Sequence, residues 1–118
     1  MKKVLVVDDD TDLLLMMKAF LTRNGYEAAV TTSCEEGLNI FYSFKPDMVL
    51  LDINVGTEDG REMCRKIKTQ ASFRHIPVLL ISANHEALKF YSDYGANAAV
   101  QKPFELPSLL QLLQLHAV

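Results

Sequence analysis

Met48–Gly60, MVLLDINVGTEDG, is the stretch whose reading decides the fold. Met48-Val49-Leu50-Leu51 is apolar without polar alternation, which fits a strand buried on both faces, as in a parallel sheet covered by helices. Asp52 stands where that burial stops, in a loop that carries glycine. Ligands of open parallel sheets collect just beyond the carboxyl ends of the strands. An aspartate there is a candidate for chemistry as well as an ordinary turn former, and the other strand ends decide between the two.

Val4-Leu5-Val6-Val7 is a second run of the buried type, and it ends in Asp8-Asp9-Asp10. Pro77 introduces a third, Val78–Ile81, which runs out into Ser82-Ala83-Asn84. Tyr26–Val30 is mixed in polarity, as at a sheet edge, and Ala98-Ala99-Val100 is short and leads into Gln101-Lys102-Pro103-Phe104. Helical patterns fill the intervals. One over Asp12–Arg23 has an expected core stripe of Leu13, Met16, Met17, Phe20 and Leu21, leaving Leu14 and Leu15 as an apolar surplus suited to a partner. Ser33 and Glu36 form a capping box that opens a helix to Phe44, ended by Lys45-Pro46. Gly60–Gln70 has Met63, Cys64 and Ile67 as its inner face, Glu86–Tyr94 is closed by Gly95, and Pro107 starts a last helix to Leu115.

Strands alternating with helices predict an α/β fold, a doubly wound five-stranded parallel sheet in a flavodoxin-like three-layer sandwich. The strands ending at Val7, Leu51 and Ile81 are the most apolar and belong in the centre. That gives the order 2-1-3-4-5, with its switch point between strands 1 and 3.

The 118 residues, with a formal charge of −3, suit one domain over 1–118. No basic stripe is present, so direct nucleic-acid binding is not expected. Cys34 and Cys64 lack metal-site spacing and fit a reducing, cytoplasmic setting. The apolar run after MKK is too short for a signal peptide or a membrane span.

On such a sheet Asp8, Asp9, Asp52, Ser82 and Lys102 share one edge. Two carboxylates about 4 Å apart repel by roughly 4 kcal/mol at an effective dielectric of 20, so these acids need a counter-charge. Mg²⁺ meets that need with oxygen ligands and retained waters, and it commonly shares carboxylates with a phosphate. Asp9 and Asp52 are the expected direct ligands, with Asp8 acting through water. Lys102 adds a fixed positive charge, and Ser82 adds a hydroxyl for an incoming anion. His75, His85 and His116 have neither triad nor ligand spacing. Asp52 is then the natural nucleophile, since a carboxylate can attack phosphorus directly.

With these motifs, Val6-Val7-Asp8-Asp9, Leu51-Asp52 with Gly60, Ser82-Ala83 and Lys102-Pro103-Phe104, the chain resembles the receiver domain of response regulators in two-component phosphorelays, over essentially its whole length. The resemblance implies that Asp52 takes a phosphoryl group from a sensor histidine kinase or histidine phosphotransfer protein and signals to a downstream effector. It implies Mg²⁺ held by Asp9, Asp52 and the Asn54 carbonyl with Asp8 assisting, phosphoryl contacts from Ser82 and Lys102, and a cis peptide before Pro103. Such a domain modifies itself rather than a metabolic substrate, and is a monomer or weak dimer. The expected output face contains Phe90, Ala99, Leu112 and Leu115, which repacks as Ser82 moves towards Asp52. The alternative is a receiver-like interaction module that is never phosphorylated.

The chain departs from the family at three places. Val55-Gly56 replaces a usual Met-Pro, so a looser loop is expected. Ala99 replaces an aromatic switch residue. Asn97-Ala98 replaces an acidic pair used for dimerisation.

Overall fold

Five parallel strands form the central sheet of the computed structural model, which describes residues 1–116: β1 Lys2–Val7, β2 Tyr26–Thr31, β3 Met48–Asp52, β4 Val78–Ser82 and β5 Ala98–Gln101. Their spatial order is β2-β1-β3-β4-β5, as the apolar ranking predicts. The ladders pair Val7 with Leu51, Asp52 with Ile81, and Ser82 with Gln101, so the strands reach one edge almost in line. The chain reverses its order of strand placement at β1 and β3, which opens the crevice where a ligand can sit.

Both faces of the three central strands are buried, and successive side chains alternate between two cores. Val4, Val6, Met48, Leu50, Leu79 and Ile81 pack with residues of α1 (Thr11–Arg23) and α5 (Leu106–His116). Leu5, Val7, Val49, Leu51, Val78 and Leu80 face α2 (Cys34–Phe44), α3 (Gly60–Lys68) and α4 (His85–Leu88). Each fully buried aliphatic side chain is worth about 1.5–3 kcal/mol over exposure, so this double burial is the main force holding the layers. On the second face Phe41 meets Phe73 edge-on at 5.0 Å between ring centres. Among the described residues, no helix is long and apolar enough to cross a membrane.

The helix starts follow their caps. Asp10 accepts from the Leu13 N–H, Ser33 from the Glu36 N–H and Asp59 from the Arg61 N–H. Ser33 supplies only half of the expected capping box. Its own N–H turns to the Thr31 hydroxyl at 3.4 Å, while the free N–H groups of Cys34 and Glu35 are met by the Glu58 carboxylate at 2.8 and 3.2 Å.

Several expectations need correction. The buried stripe of α1 is Leu14, Met17 and Leu21. Leu13 and Phe20 flank it half-buried, and Met16 is 55% exposed. Leu15 is exposed as anticipated, but Leu14 is core. The fourth helix does not run through to Tyr94: α4 ends at Leu88, and after Phe90 a 3-10 turn over Tyr91–Tyr94 leads to Gly95. The third stops at Lys68 with Thr69 as its cap. The loop after Asp52 is a two-residue-per-strand hairpin, Asn54–Val55 against Glu58–Asp59. Gly56 stands at its turn with φ +60°, a conformation closed to proline.

Candidate functional site

Each chemically interesting side chain is fixed by the last rung of a strand. The Asp8 N–H donates to the Thr31 carbonyl at 3.1 Å, extending the β1–β2 ladder. Asp52 is the final residue of β3, and Ile53 donates to the Ile81 carbonyl at 2.9 Å. Lys102 donates its N–H to the Ser82 carbonyl at 2.9 Å, one rung beyond β5. The Lys102–Pro103 peptide that follows is cis.

From that edge position the Lys102 side chain crosses two strands. Its ammonium lies 2.8 Å from Asp8 Oδ2 and 2.9 Å from Asp52 Oδ2. Burial alone would lower the Lys102 pKa, but the hydrogen bonds and charges of Asp8 and Asp52 outweigh it and hold the ammonium above its ordinary value. Burial also raises the Asp8 carboxyl above its usual range, against the opposing pull of Lys102 and of the Asp10 N–H at 2.9 Å. Asp8 and Asp52 are buried, whereas Asp9 is exposed to solvent. Removing one partner of such a buried pair would leave an uncompensated charge, which is strongly destabilising.

Asp8, Asp9 and Asp52 each bring an oxygen to within 4.8 Å of the other two. Three acids facing a single ammonium are under-neutralised, and the donors are all oxygen. That set suits a hard divalent cation, and the exposed Asp9 leaves the cluster reachable from water. Asn54 belongs to the same group through its backbone, its N–H donating to Asp52 Oδ1 at 3.1 Å.

Ser82 is fully buried on the neighbouring strand, one position beyond the partner of Asp52. Its hydroxyl accepts the Asn84 N–H at 2.9 Å and makes no described hydrogen bond to Asp52 or Lys102. The remaining candidates are dispersed. Ala99, Leu112 and Leu115 line one groove of about 410 Å³ along the β5 edge, with Phe104. Leu112 is half-buried against the core rather than spare, and Phe90, 66% exposed beyond α4, is not part of that groove.

Two contributors escaped the sequence reading. Gly56 donates its N–H to Asp9 Oδ2 at 3.1 Å. Glu58, 24 residues beyond Cys34 in the sequence, ties the same hairpin to the N-terminus of α2. The looseness expected of Val55-Gly56 is therefore offset by anchors at the turn and on the returning strand. Only the Val55-Gly-Thr-Glu58 pattern, with glycine where a two-residue turn needs positive φ, could have signalled the hairpin.

Residues 4–114 match the family model of the response regulator receiver domain. The chain is 30% identical over 112 residues to the transcriptional regulatory protein YxdJ of Bacillus subtilis, covering 93% of this chain and 48% of that protein. It is 31% identical over 105 residues to the alkaline phosphatase synthesis transcriptional regulatory protein PhoP of the same organism, covering 87% and 43%. The chain thus spans about half the length of these curated relatives. The chemotaxis protein CheY4 of Vibrio cholerae superposes with a TM-score of 0.90 at 27% identity, covering 100% of this chain and 99% of that one.

Proposed function

Because this chain belongs to the response regulator receiver domain family, a family of signalling domains rather than metabolic enzymes, we propose that Asp52 is its phosphoacceptor and that residues 1–118 form one receiver domain of a cytoplasmic two-component pathway. The observation that carries this is the Lys102 ammonium held 2.9 Å from Asp52 inside a cluster of three carboxylates. A structural aspartate would need no second and third acid beside it.

The donor is a phosphohistidine on a sensor kinase or phosphotransfer protein. A carboxylate oxygen of Asp52 forms a bond to phosphorus as the phosphorus–nitrogen bond breaks, and the departing imidazole takes up a proton. Asp9, Asp52 and the Asn54 carbonyl would hold Mg²⁺, with Asp8 assisting. When bound, the cation neutralises charge on the transferring group's oxygens. Lys102 does the same from the protein side, and because it is already placed, little reorganisation accompanies the reaction. The Ser82 hydroxyl, whose oxygen accepts the Asn84 N–H, donates its own proton to a phosphoryl oxygen, which gives β4 and the loop after it a way to sense the modification.

The partner docks beside the site. A groove of about 340 Å³ runs past Lys102 between Met16 of α1 and Phe104 and Leu106 at the start of α5. Leu15, 69% exposed on the same helix and lining a separate groove with Val30 and Thr31, adds apolar surface for an incoming helix. The effector is engaged from the β5 edge, through the groove of Ala99, Leu112 and Leu115, and through Phe90, which is exposed beyond α4 and outside that groove.

Incubation with Mg²⁺ and acetyl phosphate tests the acceptor directly. The expected result is a mass gain of one phosphoryl group that is lost in Asp52→Ala. An unmodified wild-type protein would replace this reading with that of an interaction module.

A further inference from the structure

Asp9 is the exposed member of the acidic cluster, and an exposed carboxylate on a loop is ordinarily free to rotate. Here it is not. The Gly56 N–H, 47 residues further along the chain, donates to Asp9 Oδ2 at 3.1 Å. A carboxylate with one oxygen so engaged keeps the other for a cation, and its orientation is set before the cation arrives.

The hairpin that carries Gly56 is anchored on both sides of the turn. On the outgoing strand, Asn54 donates to Asp52 Oδ1 at 3.1 Å. On the return, the Glu58 carboxylate holds the Cys34 and Glu35 N–H groups, and Gly60 donates to the Ile53 carbonyl at 2.7 Å. Gly56 is therefore presented to Asp9 from a braced element. Gly56 makes this bond from a turn in which its φ is +60°.

We infer that the Gly56 backbone N–H is a positioning group for divalent-cation binding, holding Asp9 in the orientation that completes the cluster with Asp8 and Asp52. The inference rests on the proposed reading of those acids as a cation site and adds to it a backbone donor that no side-chain substitution at Asp9 would expose. Proline at this position would remove the donor and the positive φ together. Asparagine would keep both, since it tolerates the left-handed region and a β-carbon there meets nothing within 4 Å.

Mg²⁺ titration of the metal-free protein by calorimetry, with wild type, Gly56→Asn and Gly56→Pro, tests this without any phosphorylation. Loss of a group orienting a metal ligand costs about tenfold or more in affinity. The expected order is wild type close to Gly56→Asn, with Gly56→Pro weaker by about tenfold. Equal affinity of wild type and Gly56→Pro overturns the inference while leaving the cation site standing. Wild type without saturable binding overturns the cation site itself. Hydrogen exchange of the Gly56 amide in wild type gives a reading free of any folding defect in the proline variant. Exchange should slow when Mg²⁺ is added, and a fast rate indifferent to Mg²⁺ counts against the inference.

Discussion

A β-carbon on Gly60 would overlap the Asp52 carbonyl oxygen and lie 2.9 Å from its carbonyl carbon. The glycine is required by close approach: its N–H closes the loop on the Ile53 carbonyl at 2.7 Å, and any side chain would push the end of β3 away. Because the obstacle is backbone and cannot rotate aside, Gly60→Ala should cost about 1–3 kcal/mol, the range for overpacking a rigid site. Chemical denaturation measures it, and an unchanged midpoint would show that the loop simply yields. The spacing of Gly60 from Asp52 was visible in the sequence, but its cause was not, since nothing in a one-dimensional pattern says which backbone the glycine touches. Asp8, Asp9, Asp52 and Lys102 were legible for a different reason. Asp8 and Asp52 directly follow or close buried apolar runs, Asp9 is the next residue after Asp8, and Lys102 stands two residues past the half-buried Ala98–Val100. The termination of such a run marks the sheet edge whatever the loops do. Gly56 was illegible because its contribution is a main-chain N–H. The two cysteines proved to be buried core residues, with burial raising both thiols to about 11, so neither is available as a thiolate at neutral pH.

At the scale of elements, α3 shows how a cap and an ion pair are combined. Asp59 accepts the Arg61 N–H at 3.0 Å, and the Arg61 guanidinium grips the same carboxylate at 2.8 Å. The hydrogen bond from the Arg61 side chain, with the backbone bond and nearby charge, outweighs burial and holds Asp59 below its ordinary value of 3.8. A carboxylate whose folded pKa is depressed adds stability above its unfolded pKa and loses it as pH falls through the folded one. Asp59→Ala should therefore cost about 1 kcal/mol at pH 7, as for loss of a helix cap. The gap between variant and wild type should narrow as the pH is lowered below 3.8. Thermal melts across that range check the sign, and a gap that widens on acidification would contradict it. Elsewhere, helix phase was harder to read than helix position. Leu13–Met17 is five apolar residues in a row, so stripes through Leu13 or through Leu14 are equally periodic, with Met17 and Leu21 on both. The approach of α1 to the sheet selects Leu14. The break after α4 had no breaker residue to announce it, and two-residue hairpin strands fall below the window in which alternation can be counted.

At the scale of the whole molecule, the fold gathers acids at one end of the sheet in greater number than it supplies cations to meet them. Two central strands and the edge strand β5 bring in Asp8, Asp52 and Lys102, and the β1–α1 loop adds Asp9. The double-sided core holds these charges together regardless of their repulsion, and a bound cation should return stability to the entire domain. A ligand that binds only the folded state stabilises it by RT ln(1 + [L]/Kd). With free Mg²⁺ at about ten times its dissociation constant that is about 1.4 kcal/mol. For a chain of this size it corresponds to a rise of roughly 5 °C in the unfolding midpoint. Screening by salt would also relieve repulsion among the acids, so the comparison must be made against NaCl at matched ionic strength. The Mg²⁺-specific rise should be present in the wild type and absent in Asp9→Ala, which removes the exposed acid and leaves the buried Asp8–Lys102–Asp52 pairing intact. An equal rise in NaCl would show that screening alone relieves the acids, with no cation seated among them.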